Sequence, residues 1–213
     1  MPVSQFHWER DFWNAGYDLV AGVDEVGRGA LAGPLVAAAV IFDMAAIGTR
    51  SRREKILASV RDSKLMTRQA RETSLVVIER CSTNIGIGMV ECQEIDALGM
   101  TAANRLAMER AVFGLGCEPS ALLLDAFVTD LDLPQVGLID GDARCLSIAA
   151  ASIVAKVTRD RLMCALHCED SRYGLDQHVG YGTPEHLRAL KLHGPANFHR
   201  RSFRPVQECL NHQ

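Results

Sequence analysis

The 213-residue sequence lacks long hydrophobic runs, Cys-x-x-Cys pairs, internal repeats and low-complexity segments. No apolar stretch reaches the roughly 18 residues of a membrane span, and the first residues lack the basic-then-apolar layout of a signal peptide. These absences predict a cytoplasmic protein with no membrane partner. With 48% hydrophobic and 23% charged residues, the chain has the composition of a globular protein that is long enough to bury its own core.

The seven cysteines are odd in number and scattered, which argues against a disulfide framework. We expect reduced, mostly buried thiols. Cys164, His167 and Cys168 lie close together in the sequence, but a zinc site would need a matching second pair of ligands. An ordinary structural role is therefore preferred over a metal site for these three residues.

The sequence also has little net charge, −3, which argues against nucleic-acid binding over the whole surface. The charge is unevenly distributed, because acids outnumber Lys and Arg up to Asp142 and the reverse holds from Ala143 onward. An acidic body with a basic C-terminal part can bind cations in one place and a polyanion in another. A chance distribution of charge is the alternative interpretation.

Apolar periodicity and turn residues predict an α/β protein. Two Val- and Ala-rich strands separated by Gly and Pro predict a hairpin, and a third strand follows a helix that Thr67 caps. The predicted strands are 19–25, 35–42, 83–90, 120–126 and 135–142, and the predicted helices are 67–81, 93–115, 147–168 and 183–194. This order predicts a mixed sheet with helices packed on it.

Acidic residues end three of the predicted strands: Asp24 and Glu25 the first, Asp125 the fourth, and Asp140 and Asp142 the last. Converging carboxylates repel one another and attract hard cations such as Mg²⁺ or Mn²⁺, which act in pairs in phosphodiester chemistry. Because consecutive strand residues point to opposite faces, we expect the first strand to end or bulge at Asp24 and Glu25. The pattern alone supports a metal site and unrelated surface acids equally.

A glycine-rich segment follows the first pair of acids. Its letters GRGALA formally satisfy the GxGxxG/A fingerprint, so a dinucleotide-dependent oxidoreductase is one alternative. That fingerprint opens a helix, whereas Pro34 and the apolar run after it predict a strand. The context therefore argues against dinucleotide binding.

Several segments resemble, in order, the motifs of type 2 ribonuclease H, the bacterial ribonuclease HII family. They are AGVDEVGRGALAGP, DSKL (Asp62 to Leu65), LLLDA, GDARCLSIAAASIVAKVTRD, QHVGYGTPEH and HRRSFRPV, and the resemblance extends from about Leu19 to Val206. It implies an α/β fold with a ribonuclease H-like mixed β-sheet flanked by helices. It also implies a division into a catalytic domain over 1–170 and a C-terminal helical extension over 171–213 packed on it.

The resemblance implies a metal-dependent endoribonuclease. Such enzymes hydrolyse the phosphodiester 5′ of ribonucleotides in RNA/DNA hybrids, and of single ribonucleotides embedded in duplex DNA, leaving 3′-hydroxyl and 5′-phosphate ends. Carried over by position, the catalytic and metal-binding residues are Asp24, Glu25, Asp125 and Asp142, which hold two Mg²⁺ or Mn²⁺ ions. The implied substrate-binding residues are Gly27, Arg28, Gly29, Lys64 and Tyr181. A non-catalytic hybrid-binding module on the same fold is the alternative, and the intact acids count against it.

The chain departs from the usual family pattern at Ala126, Ala149 and Val179, where Gly, Ser and Lys are common. Asp140 shares a predicted strand face with Asp142, but the family pattern Gly-Asp-x-Arg favours Asp142 as the ligand. The three histidines of the C-terminal motifs are expected at the surface near DNA; they are His186, His193 and His199.

Overall fold

The protein is described by a computed structural model over residues 7–42, 56, 60 and 63–211. In that part of the chain, five strands form one mixed sheet in the order β3-β2-β1-β4-β5. Strand β1 pairs antiparallel with β2 and parallel with β4; β2 pairs antiparallel with β3, and β4 parallel with β5. The strands are β1 (Val20–Val26), β2 (Leu35–Phe42), β3 (Ser82–Val90), β4 (Ala121–Asp125) and β5 (Gln135–Leu138). The predicted mixed sheet and its first hairpin are confirmed.

The helices pack on both faces of the sheet and form the C-terminal region. They are α1 (His7–Asn14), α2 (Arg68–Cys81), α3 (Cys92–Leu98), α4 (Met100–Phe113), α5 (Gly141–Arg144), α6 (Leu146–Glu169), α7 (Leu175–His178), α8 (Pro184–His193) and α9 (Arg204–Leu210). The predicted caps are confirmed, because the Thr67 and Thr183 hydroxyls accept backbone N–H groups of α2 and α8. None of these helices combines the length and apolarity that crossing a membrane requires.

Two predicted elements are wrong in their extent. The single helix over 93–115 is divided at Gly99, whose φ of 77° ends α3 and starts α4. The last strand ends at Leu138, after which Asp140 adopts a left-handed φ of 54° and Asp142 lies in the short helix α5. The expectation that Asp140 and Asp142 share a strand face is therefore wrong.

The long helix α6 lies directly across the central strand β1. A Cβ atom at Gly22 would come within 2.2 Å of the Ser147 backbone, so only glycine allows this approach. On this face α6 packs on Val36, Ala38 and Val40, whereas Ala37 and Ala39 face α4 on the other side. The small side chains of β2 thus let helices on both faces come close to the end of β1.

The C-terminal region is helical and packs against the segment that follows β1. Leu31 belongs to the same buried cluster as Tyr173, Leu190 and Val206. An isolated bridge joins Ala32 to His199 in antiparallel orientation. The helical C-terminal region predicted from the resemblance is therefore present and contacts the glycine-rich segment.

Two expectations about burial are wrong. All seven cysteines are free, but only Cys92 and Cys145 are buried. His186 and His199 are 0% and 1% exposed, and their Nε2 atoms lie 3.1 Å apart. These two histidines therefore belong to the interior of the C-terminal region.

Candidate active site

Asp24 and Glu25 both lie within the regular part of β1. Asp24 pairs with Ala38 and Glu25 with Ala37 in unbroken antiparallel register. The expectation that the strand ends or bulges at these acids is therefore wrong, and the two side chains start from opposite faces of the sheet. Asp24 is on the side of α6 and Glu25 on the side of α4. Both remain close to the end of the strand, because β1 ends at Val26.

Asp125 lies beside Asp24 at the same edge of the sheet. Strands β1 and β4 run parallel, and their register pairs Val23 with Leu124, so the next residues of the two strands are Asp24 and Asp125. Parallel partners share a face, which places both carboxylates on the side of α6. The parallel pairing of β1 with β4 thus brings together two acids that are 101 positions apart in the sequence. The paired residues Val20 and Ala121 have the same separation.

Asp142 reaches this edge through the short helix α5. The Asp125 carboxylate accepts the Gly141 N–H at 2.7 Å, which ties the start of α5 to the end of β4. A Cβ at Gly141 would lie 3.1 Å from Asp125 Oδ1 and 2.8 Å from Ile148 Cδ1, so glycine makes this junction possible. The next residue, Asp142, is 6% exposed. A hydrogen bond and a helical turn therefore position the fourth acid.

Burial and repulsion between neighbouring charges raise the pKa of three carboxylates at this edge, those of Asp24, Glu25 and Asp125. Burial raises the pKa of Asp24 well above its ordinary value, and the neighbouring charges of Glu25 and Asp125 raise it further. Burial also raises the pKa of Glu25 to about 7, with the Arg28 guanidinium opposing the shift. Burial raises the pKa of Asp125, which the Gly141 N–H opposes. The acids thus interact electrostatically, and a cation would relieve their repulsion.

The donor chemistry of this edge fits hard divalent cations. The four acids offer carboxylate oxygens, and the buried Glu25 Oε2 has no hydrogen-bond partner among the described residues. Within the same part of the chain, no three His, Cys, Asp or Glu side chains are already arranged as a metal site. The acids are therefore neighbours that would have to move closer together around an ion.

Lys64 contacts the acid cluster from the short 3₁₀ turn Ser63–Leu65. Its Nζ lies 3.1 Å from Asp142 Oδ2, while its side chain is 76% exposed. The Ser63 hydroxyl is 2.9 Å from that of Ser152 on α6, which holds the turn against the helix. Lys64 thus has the exposure needed to contact a ligand at this edge, whereas Asp62 of the same motif lies outside the described residues.

The Gly27-Arg28-Gly29 segment forms a tight turn directly after β1. Gly27 has a φ of +97°, and its carbonyl accepts the Ala30 N–H at 3.3 Å. Arg28 and Gly29 are exposed at the tip of this turn. The Arg28 guanidinium lies 3.5 Å from Glu25 Oε1, so the turn is in contact with the acid cluster.

Tyr181 lies beside the same turn. A Cβ built at Gly29 would be 4.0 Å from Tyr181 Cε1, so the ring faces the glycine at van der Waals distance. The Tyr181 backbone is held in place because the Gly180 carbonyl accepts the Leu31 N–H at 2.8 Å. The structure therefore brings Gly27, Arg28, Gly29 and Tyr181 together beside the acids, and Lys64 contacts Asp142 on the same edge.

Two of the three departures from the family pattern occupy strained backbone. Ala126 has a φ of 58° and Val179 a φ of 43°, in the left-handed region that glycine tolerates best. Ala149 is buried in α6 and has ordinary helical surroundings. The backbone conformation at position 126 explains why glycine is common after this Asp in the family pattern.

Sequence reasoning missed two buried arginines next to the turn. Arg159 and Arg200 are each 0% exposed, and both donate to backbone carbonyls of the segment 27–34. Arg159 lies in the motif GDARCLSIAAASIVAKVTRD and Arg200 in the motif HRRSFRPV. Neither motif indicates that these side chains are buried, because arginine is usually exposed.

Comparisons with known proteins identify relatives of this chain. A family model described as Ribonuclease HII matches residues 21–206. The ribonuclease HII of Geobacillus thermodenitrificans (strain NG80-2) is 47% identical over 206 residues, covering 97% of this chain and 76% of that protein. The crystal structure of ribonuclease H2 from Pyrococcus horikoshii OT3 has a TM-score of 0.76 at 26% identity, covering 91% of this chain and 98% of that chain.

A more distant structure shares the fold. A Bst-RNase HIII, crystallised in complex with Mn²⁺, has a TM-score of 0.68 at 22% identity, covering 92% of this chain and 70% of that chain. The family match spans most of the sequence, including all four acids and the Gly27–Gly29 turn. The chain therefore belongs to the ribonuclease HII family and is an endoribonuclease.

Proposed function

We propose that this chain is a metal-dependent endoribonuclease that cleaves the phosphodiester 5′ of ribonucleotides. Its substrates are RNA/DNA hybrids and duplex DNA with single embedded ribonucleotides, and its products carry 3′-hydroxyl and 5′-phosphate ends. The observation that carries the proposal is the meeting of Asp24, Glu25, Asp125 and Asp142 at one edge of the sheet, next to an exposed turn. The acid cluster would bind metal ions next to the phosphodiester, and the turn would contact the sugar of the ribonucleotide.

The four acids are the proposed metal ligands. They would hold Mg²⁺ or Mn²⁺, and such ions, when bound in a pair, lower the pKa of an attacking water and stabilise charge on the leaving oxygen. The unpartnered Glu25 Oε2 and the raised pKa values of Asp24 and Glu25 support this assignment, because a bound cation would interact with buried carboxylates that repel one another. The Mn²⁺ complex of the related Bst-RNase HIII also supports it.

The proposed roles of the remaining residues follow from their exposure. Arg28 and Lys64 carry positive charge at the acid edge and would contact substrate phosphates, which give nucleic-acid complexes much of their affinity. The bare backbone of Gly27 to Gly29 allows amide groups to approach the 2′-hydroxyl, the group that distinguishes RNA from DNA. Tyr181 would stack on the sugar that follows the ribonucleotide. The catalytic domain would end at residue 170, with 171–213 supplying Tyr181.

A cleavage assay tests this proposal. The substrate is end-labelled duplex DNA with one ribonucleotide, incubated with Mg²⁺, with Mn²⁺ or with EDTA, beside an all-DNA duplex of the same sequence. We expect a single cut 5′ of the ribonucleotide in either metal and none in EDTA. Ligation of the two fragments without prior kinase treatment requires a 3′-hydroxyl and a 5′-phosphate, so it identifies the chemical ends.

Asp125→Asn is the decisive variant, because Asn can still accept the Gly141 N–H through its side-chain oxygen. We expect at least a hundredfold loss of cleavage with little loss of substrate binding. The exposed Asp132→Asn is the matched control, and its activity should stay normal. Tight binding by the wild type without cleavage in either metal would instead indicate a non-catalytic hybrid-binding module.

A further inference from the structure

Two arginines are completely buried beneath the Gly27–Gly29 turn. Arg159 and Arg200 are each 0% exposed, and neither forms an ion pair with a carboxylate in the described part of the chain. Burial lowers the pKa of Arg200 to about 10, and the charge of Arg159 lowers it further. A buried, unpaired charge destabilises a fold unless its donors are satisfied, so this pair has a specific structural task.

Every donor contact of Arg200 that involves the turn goes to a backbone carbonyl. Its Nη1 donates to Gly27 O at 2.7 Å and to Arg28 O at 3.0 Å. Its Nε and Nη2 donate to Gly33 O at 3.1 and 2.9 Å. One guanidinium therefore fixes two successive peptide groups at the start of the segment 27–34 and anchors them to its far end.

The contacts of Arg200 determine where the amide groups of the turn point. No described peptide bond is cis, and in a planar trans peptide the N–H points opposite to the C=O. Because Gly27 O and Arg28 O face the buried Arg200, the N–H groups of Arg28 and Gly29 face the exposed side. Neither N–H has an acceptor in the described residues. Two successive outward N–H groups can both donate to an oxygen ligand.

Arg159 connects the same segment to the neighbourhood of Tyr181. Its Nη2 and Nε donate to Ala32 O and Pro34 O, both at 3.0 Å, and its Nη1 donates to Val179 O at 2.8 Å. Its guanidinium carbon lies 5.6 Å from the centre of the Tyr181 ring. Arg159 thus fixes the distance between the turn and the tyrosine, which come from opposite ends of the chain.

We propose that Arg200 is a positioning residue for ribose recognition, which turns the Arg28 and Gly29 amides outward so that they donate to a ribose 2′-oxygen. Arg159 has a separate positioning role, because it holds the Tyr181 segment against the turn without contacting the carbonyls of Gly27 or Arg28. This inference rests on the proposed function, and it identifies Arg200 as the residue that sets the enzyme's preference for ribonucleotides.

The test measures binding preference in EDTA, where no cleavage occurs under the proposed function. Fluorescence anisotropy gives the Kd for a duplex with one ribonucleotide and for the all-DNA duplex, and their ratio is the ribose preference. A partly unfolded sample raises both Kd values by one factor and leaves the ratio unchanged. The ratio therefore reports amide positioning separately from stability.

Arg200→Lys keeps the charge, but a single ammonium group cannot reach Gly27, Arg28 and Gly33 together. We expect the ribose preference to fall about five- to tenfold, as expected for one or two lost hydrogen bonds, with the Kd for all-DNA duplex within about twofold of wild type. Arg159→Lys should weaken binding of both duplexes equally and leave the ratio unchanged. The control is Tyr173→Phe, which removes a buried hydrogen bond to Gly194 O in the same region; its ratio should match wild type.

A second measurement on the wild type covers the case in which Arg200→Lys does not fold. Hydrogen exchange of the Arg28 and Gly29 amides should slow when the ribonucleotide duplex binds, and should slow less with the all-DNA duplex. Equal protection by both duplexes overturns the inference, as does an unchanged ratio in a folded Arg200→Lys variant. A wild type that cleaves 5′ of the ribonucleotide but shows no binding preference refutes this inference alone, whereas absence of cleavage refutes the proposed function.

Discussion

Replacing Glu25 by Gln should stabilise the metal-free protein. The Glu25 side chain is 7% exposed, and burial raises its pKa from 4.5 to about 7. The folded state therefore binds the proton more tightly than the unfolded state, and ionisation of Glu25 costs folding free energy. The cost is absent below about pH 4.5, grows as the pH rises and is complete above about pH 7. Gln cannot ionise, so it removes the cost.

The pKa shift of Glu25 lowers the free energy of unfolding by about 3 kcal/mol at pH 7 and above, and by less than about 1 kcal/mol at pH 5. The substitution also loses the attraction of Arg28, whose side chain is 42% exposed. Such a partly exposed pair contributes about 0–1 kcal/mol. We therefore expect Glu25→Gln to raise the free energy of unfolding by about 2 kcal/mol at pH 8, and to change it little at pH 5.

Urea denaturation in EDTA at pH 5 and pH 8, followed by circular dichroism, measures this difference. Glu118→Gln makes the same chemical change at an exposed position. It should alter the free energy of unfolding by less than about 0.5 kcal/mol at both pH 5 and pH 8. A Glu25→Gln variant that is less stable than wild type at pH 8 would refute the reasoning. It would mean that favourable contacts of the carboxylate outweigh its burial and its repulsion by Asp125.

Three further predictions concern the surroundings of the site. Tyr181→Ala should reduce cleavage at a single ribonucleotide in DNA more than cleavage within continuous RNA, measured as kcat/KM; equal losses would make Tyr181 a packing residue. Ala126→Gly should raise the free energy of unfolding by about 1 kcal/mol in urea, because it relieves a left-handed φ, and a loss of stability would contradict this. Burial lowers the pKa of His199 to about 4, so its favourable contribution is present above pH 6.5 and lost as the pH falls towards 4. His199→Asn should therefore lose less stability than wild type over that interval, and parallel curves would show that His199 does not cause the loss.

The parts of the fold that the sequence predicts correctly are those that depend on interactions between neighbouring residues. The strands β1 and β2 and the capped helices after Thr67 and Thr183 depend on neighbouring residues, so periodicity and cap chemistry predict them. The predicted end of β5 was wrong, because Asp140 adopts a left-handed conformation. The alternation of polar and apolar residues in the sequence does not reveal that conformation. Asp142 consequently approaches the site from a helix.

Motifs of contiguous residues were enough to predict the fold class and the family correctly, and they also predict Asp24, Glu25, Asp125 and Asp142 as the metal-binding acids. The assembly of the site depends on contacts between residues that are far apart in the sequence. Arg200 donates to Gly27 O across 173 positions of sequence, and Arg159 donates to Ala32 O across 127. Which arginine turns inward depends on carbonyl groups that only the folded chain brings within reach, and a buried guanidinium is tolerated only where such acceptors surround it.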